Sequence, residues 1–194
     1  MDDNILISNI KKGDSYSTEL LINKYKQNIY NLSYKLTYNK INADDLYQDT
    51  WLKILSKINT YNSNYSFKNW SYTLCLNIYR DNYNKIKSQN KYNKYFNDIK
   101  TKDFYINSAA SSLTTEDMII ENEKKAEIEI YINKLDEKYR IVIILYFFDN
   151  LKYQTISELL NIPIGTVKSR INTAKNELKK MIGGNYEQWF WWFS

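Results

Sequence analysis

Histidine is absent from this 194-residue chain. With it go the commonest general base near neutral pH and the commonest metal ligand. Cysteine occurs once, as Cys75, so no internal disulfide can form and a reducing compartment is the simplest setting. Proline also occurs once and glycine four times. So few turn-formers argue against a loop-rich β architecture and for long helices. No run reaches the roughly 18 apolar residues of a membrane span. The N-terminus, MDDNILISNIKKGD, places acid before base and so lacks the charge order of a signal peptide. A cytoplasmic location is the expectation.

What is present is enough apolar material for a core, 43% of residues, in a chain long enough for one domain or two small ones. Tyrosine and asparagine are abundant, as AT-rich codons favour, so an exposed Tyr or Asn is weak evidence by itself. Charge is placed in blocks. Residues 70–102 hold seven basic residues against two acidic, 103–151 hold five against ten, and 152–182 hold six against two. Two basic blocks around an acidic one suit two separate polyanion contacts. Ordinary solvated helix faces would give the same count.

Apolar spacing predicts helices in two clusters. Leu21, Tyr25, Ile29, Leu32 and Leu36 recur at helical steps and predict a helix over about 15–38. Asn42 has the chemistry of an N-cap, with Asp44 and Asp45 in the first turn, for a helix running to about Ile58. Its apolar face is Tyr47, Trp51, Ile54 and Ile58, and its other face carries Asp45, Gln48, Asp49 and Leu52. After the loop NTYNSNYS, Ser66 is placed to cap a third helix from Phe67 to about Asn90. Residues 91–112 have weak periodicity and read as a linker. Thr114 and Asp117 have capping-box spacing for a helix ending near Asn133. Asp136 caps the next, with Ile141, Ile144, Leu145 and Phe148 inward, and Asn150 suits a left-handed turn. The expected fold is all-α: two small helical domains joined by a flexible linker.

The sharpest motif is YQTISELLNIPIGTVKSRINTAK, residues 153–175. It reads as helix, short turn, helix. Ile156, Leu159 and Leu160 line one side of the first helix. Asn161 stands where the turn asks for positive φ, Ile162 plugs the angle, and Pro163 opens the second helix, where its missing N–H costs nothing. Val167, Ile171 and Ala174 face inward. That leaves Gly165, Thr166, Lys168, Ser169, Arg170, Thr173 and Lys175 toward the exposed side, where a helix-turn-helix meets the major groove. Arg170 could read guanine in bidentate fashion, and Thr and Ser can bond phosphates or base edges. A plain helical hairpin with a basic face is the bland reading.

LDEKYRIVIILYFFDNLKYQTISELLNIPIGTVKSRINTAKNEL resembles region 4 of the extracytoplasmic-function (ECF) sigma factors, and ADDLYQDTWLKIL with FKNWSYTLCLNIYRD resembles their region 2. The order is right, and the stretch between them is too short for the extra domain of larger sigma factors. The resemblance implies a factor that binds core RNA polymerase through the β′ clamp helices and the β flap. It also implies recognition of promoter DNA at −35 and −10 elements, help in melting, and control in some cases by an anti-sigma factor. It divides the chain into a region 2 domain (1–90), a linker (91–112), a region 4 domain (113–182) and an aromatic tail (183–194). It implies polymerase contacts at Asp45, Leu46, Gln48, Asp49 and Leu52. The residues themselves fit a mixed acidic and apolar strip, or simply a helix start that favours carboxylates. For the −10 element it implies the loop 59–69 and the helix after it, with Asn77 and Asp81 as a polar pair and Arg80 beside them. Aromatics at 61, 65, 67, 70, 72, 79 and 83 could stack unpaired bases. Phe67, Trp70, Leu74 and Ile78 have core spacing, which leaves Tyr61, Tyr65 and Asn77 expected nearest a captured strand. For the −35 element it implies the outward residues of the helix-turn-helix.

Departures from the family pattern qualify this. Lys152 replaces a capping Ser, Asn161 a turn glycine, and Pro163 a capping Ser or Thr. Asn172 and Thr173 stand where basic residues are common, so fewer phosphate contacts and a shallower salt dependence are expected at −35. The tail GGNYEQWFWWFS has no family counterpart: fold-back, a partner or a membrane interface would each suit it. A repressor or activator acting on duplex DNA without polymerase is the alternative function. Neither an enzyme nor any catalytic residue, metal, cofactor or small-molecule substrate is expected, since no carboxylate pair has metal spacing.

Overall fold

In a computed structural model of the chain, residues 2–94 and 128–183 are described, 90–94 by backbone alone. They form two compact units, one in each stretch, and every regular element among them is helical.

The first unit holds α1 (Asp3–Lys11), α2 (Ser15–Thr37), α3 (Lys40–Lys57) and α4 (Phe67–Lys94). Side-chain caps set the starts. Asp2 accepts from the Asn4 N–H at 3.0 Å. Asp14 accepts from Tyr16 and Ser17 N–H, each at 3.2 Å, and from the Ser17 hydroxyl. That hydroxyl, ahead of the two N–H groups, holds the Asp14 carboxyl below its ordinary value. Leu21, Ile29, Leu32 and Leu36 are buried on α2 as their spacing predicts, with Tyr25 half-buried. The core joins Leu6 and Ile7 of α1, Leu21 and Ile29 of α2, Trp51 and Ile54 of α3, and Phe67 and Leu74 of α4. Asp3 fastens α1 to α2, pairing with Lys24 at 2.6 Å and accepting from the Tyr25 hydroxyl. Burial first, and Asp3 next, push that hydroxyl far above its ordinary pKa.

Two boundaries differ from expectation. The cap of α3 is Asn39, not Asn42: the Asn39 side chain accepts from the Asn42 N–H at 3.0 Å. Tyr38 ends α2 in a left-handed conformation (φ 46°), so the chain re-enters a helix at once, a turn earlier than the aspartates suggest. Asp44 and Asp45 therefore lie beyond the first turn. The helix expected to stop near Asn90 runs to Lys94, into the segment read as linker. The rest of that segment, the Thr114–Asp117 capping box and the tail from Gly184 lie outside the described residues.

The second unit contains α5 (128–134), α6 (Glu137–Ile143), α7 (Tyr153–Leu160) and α8 (Ile164–Ile182). Asp136 caps α6 as expected, accepting from the Lys138 N–H at 3.2 Å. Five consecutive residues, Ile141–Leu145, are buried, which marks a helix covered on all sides. Arg140, 8% exposed, donates from Nη1 to the Asn133 carbonyl and side-chain oxygens at 3.1 and 2.8 Å, tying α6 to α5. After Ile143 the helix widens into a π turn, Ile144–Phe148, and Phe148 is only half-buried. Asn150 turns the chain at φ 51°, and α8 packs on both α6 and α7.

Candidate nucleic-acid interface

Helices α7 and α8 make the hinge of the second unit. Ile156, Leu159 and Leu160 are buried on α7, and Val167, Ile171, Ala174 and Leu178 on α8. Asn161 adopts φ 50° and sends its N–H back to Glu158 and Ser157 carbonyls, an ending that Asn tolerates. Ser157 does more than spacing suggests. Its carbonyl accepts from the Ile162 N–H at 3.1 Å and its hydroxyl donates to the Ile162 carbonyl at 2.6 Å. The turn is thus pinned from both sides. Pro163 is the N-cap of α8, one position before the helix, and supplies no side-chain cap; its carbonyl accepts from Thr166 and Val167 N–H at 2.8 and 3.1 Å. Lys152 likewise gives α7 no side-chain cap. Instead Tyr153 packs on Tyr146, ring centroids 5.0 Å apart. A hydrogen bond between these hydroxyls, and burial after it, push the Tyr153 pKa up.

Opposite the buried stripe of α8 lie Gly165, Ser169, Asn172 and Asn176, all exposed and at steps of four, three and four. Lys168 is exposed beside them, and Thr166, Arg170 and Thr173 are half-buried at the flanks. Among the described residues, a Cβ on Gly165 would meet nothing within 4 Å, so none of them requires glycine there. Lys175 turns its ammonium over the rings of Phe147 and Tyr146, 5.1 and 5.8 Å from their centroids. Its charge is shared with that aromatic pair.

The segment before α4 is shaped by one buried tyrosine. Ile58–Thr60 forms a single 3₁₀ turn. Tyr61 follows, 6% exposed, its ring 5.2 Å from Trp70 and 5.8 Å from Phe67. Tyr61 was expected at a captured strand; it belongs to the core instead. Burial, and then the aspartates of α1, raise its pKa, so its hydroxyl stays a donor. Of the seven aromatics at 61–83 considered for stacking, Phe67, Tyr72 and Tyr79 are buried, Trp70 and Tyr83 are half-buried, and only Tyr65 is exposed, at 67%. Asn77 and Asp81, one helical turn apart on α4, are exposed, and Arg80 between them is half-buried.

On α3, Trp51, Ile54 and Ala43 face the core. The opposite face carries Asp45, Gln48 and Asp49, all exposed, and Leu52 at 68% exposed. Leu46, expected in this strip, is 3% exposed. It lies on the Ala43–Thr50 side, and its carbonyl accepts from the Thr50 hydroxyl at 2.6 Å. Ile41 takes its place, 72% exposed. Sequence reading missed Ile41 because it began the helix three residues late. Neighbouring Asp44 is engaged by the Tyr30 hydroxyl.

Family models match both halves: Sigma-70 region 2 over residues 21–89 and Sigma-70, region 4 over 125–178. The chain is 31% identical over 176 residues to the ECF RNA polymerase sigma factor SigW of Bacillus subtilis (strain 168), a match spanning 91% of this chain and 94% of that protein. The chain belongs to the ECF family of RNA polymerase sigma factors. This sigma factor is also 23% identical over 184 residues to the sigma-H factor of Pseudomonas aeruginosa, across 93% of both chains. Its fold is shared with CnrH, solved with the cytosolic domain of CnrY (TM-score 0.65, 18% identity, 93% and 96% covered). It is shared too with RpoE of Bartonella quintana, solved with the anti-sigma factor NepR (TM-score 0.63, 21% identity, 85% and 96% covered).

Of the expected residues of this sigma factor, Leu46 and Tyr61 are in the core, Arg80, Thr166, Arg170, Thr173 and Lys175 are half-buried, and the rest are exposed on α3, on or just before α4, and on α8. The structure adds Ile41, Asn172 and Asn176. Both asparagines are exposed at helical steps from Ser169; the sequence marks Asn172 only as a missing basic residue and gives no signal for Asn176. Among the described residues, no helix is long and apolar enough to cross a membrane, and no group of three or more His, Cys, Asp and Glu could hold a metal ion.

Proposed function

We propose that this sigma factor docks on core RNA polymerase through the α3 strip of Ile41, Asp45, Gln48, Asp49 and Leu52. In this reading α8 lies in the major groove of the −35 element. Gly165 lets the backbone approach a phosphate, Lys168 and Arg170 bring positive charge, and Ser169, Thr166, Thr173, Asn172 and Asn176 reach phosphates or base edges. The exposed 62–66 loop, with Tyr65 as its stacking platform, captures an unpaired −10 base, and Asn77, Arg80 and Asp81 line the adjoining helix. The polymerase makes every covalent bond; this chain positions DNA and acts in the cytoplasm. The stretch that follows Lys94 tethers the two regions, and the polymerase β flap engages region 4. Because one protein of this fold, RpoE of Bartonella quintana, has been solved with an anti-sigma factor, a regulator of that kind belongs to the proposal.

One observation carries the reading. Helix α3 has a complete buried face and, opposite it, an acidic and apolar exposed face. Acidic residues repel DNA, so that second face suits a protein partner and not the duplex. Transcription in vitro with purified core polymerase on genomic fragments tests it. Specific start sites appear only when this chain is added; core plus this chain giving no specific transcript refutes it. Asp49→Lys weakens core binding and leaves −35 contacts intact.

A further inference from the structure

The loop proposed to take a −10 base is held by a backbone bond, by the side chain of Asn62 and by two residues outside it, Tyr61 and Lys11. Tyr65 N–H donates to the Asn62 carbonyl at 3.1 Å, and Asn64 N–H to the Asn62 side chain at 3.0 Å, so residues 62–65 close on themselves. The closed loop is then fastened at both ends through one residue. At its far end the Tyr61 hydroxyl donates to the Tyr65 carbonyl. At its near end the Tyr61 carbonyl accepts from Lys11 Nζ of α1 at 3.2 Å. The Tyr61 ring is wedged against Phe67 and Trp70, so the strap is anchored in the core. The four side chains it presents, Asn62, Ser63, Asn64 and Tyr65, are all exposed.

We propose that Tyr61 is a positioning residue: its hydroxyl, seconded by Lys11, fixes the 62–65 loop in the shape that discriminates the captured −10 base, and it touches no DNA itself. This rests on the reading of that loop as the base-capturing element. The physical reason is preorganisation. A loop already fixed does not lose conformational freedom on capture, and a correct base is favoured over a wrong one only if the donors and acceptors it meets stay in place.

Tyr61→Phe keeps the buried ring and removes one hydrogen bond, which corresponds to roughly a 3- to 10-fold effect. The experiment uses holoenzyme assembled from core polymerase and full-length chain. It measures binding to single-stranded non-template oligonucleotides carrying each of the four bases at successive −10 positions. Melting temperature and core affinity are read in parallel. The expected result is a roughly 3- to 10-fold loss of discrimination for Tyr61→Phe, with core affinity unchanged and melting lowered by no more than the few degrees that one hydrogen bond accounts for. Lys11→Met moves the same way by less, and Lys11→Arg, which keeps the donor, restores it. Undiminished discrimination in Tyr61→Phe overturns the proposal, as does a loss that tracks falling melting temperature and core affinity. A variant with residues 62–65 replaced by Gly-Ser-Gly-Ser separates the two levels. If it loses discrimination while Tyr61→Phe keeps it, the positioning role alone fails. If it discriminates like the unchanged protein, the loop reading fails and the positioning role with it.

Discussion

Leu46 and Leu52 sit six residues apart on α3, chemically identical and 3% and 68% exposed. Replacing each with alanine separates what the helix does for the fold from what it does for a partner. Leu46→Ala empties a packed site, and such truncations cost about 2–5 kcal/mol of stability. Leu52→Ala removes a side chain already in water, so the fold changes by less than about 0.5 kcal/mol. Fully burying a leucine contributes about 1.5–3 kcal/mol. With two thirds of Leu52 still exposed, docking can recover roughly 1–2 kcal/mol, a loss of about 5- to 30-fold in core affinity on truncation. Urea unfolding gives the first pair of numbers, and fluorescence anisotropy titration of labelled chain with core polymerase gives the second. A Leu52→Ala variant that binds core as tightly as the unchanged protein would remove the exposed face of α3 from the docking surface. One that unfolds as readily as Leu46→Ala would show that the helix is oriented differently from the structure described.

Four further outcomes follow from single positions. Gly165→Ala leaves the fold intact or slightly firmer, since Gly is about 1 kcal/mol poorer than Ala in a helix, yet it weakens −35 binding; equal binding in an electrophoretic shift assay counts against close backbone approach there. Arg170→Ala lowers affinity by about 1–3 kcal/mol at one base position if the contact is bidentate, whereas a uniform loss across sequences makes it a phosphate contact. Asp136→Ala costs about 1 kcal/mol by removing the cap of α6, read as a lower urea midpoint with an unchanged slope. Asp14 has a lowered pKa in the folded chain. Its contribution is therefore complete above the ordinary value of 3.8 and is lost as pH falls through the folded value. The melting temperature of Asp14→Asn accordingly falls less steeply with acid than that of the unchanged protein.

Helix spacing was legible because it depends on which residues share a face. The stripes on α2 and α8, the left-handed Asn150 and Asn161 and the cap at Asp136 are all legible in the sequence. The positions that could not be read depend on three-dimensional neighbours. Two asparagines, at 39 and 42, could each cap α3, and only the left-handed Tyr38 decides between them. That earlier start brings Ile41 onto the exposed strip; Leu46 leaves it for another reason, sharing a face with Ala43 and Thr50, three residues before it and four after. Tyr61 and Tyr65 are alike in sequence context, both in a loop and both aromatic. They part because Phe67 at the start of α4 and Trp70 one turn further on pack against the Tyr61 ring. The Ser157 bonds across the turn had no spacing signal at all.

The two-sided character of α3 links occupancy to lifetime. Unfolded chain has no strip, so a partner bound there draws on the folded population alone. At a free partner concentration of 100 times Kd, such linkage adds about 2.7 kcal/mol to the first unit. Polymerase-bound factor would then resist proteolysis far longer than free factor. Cellular copies in excess of available polymerase would be the first to be degraded.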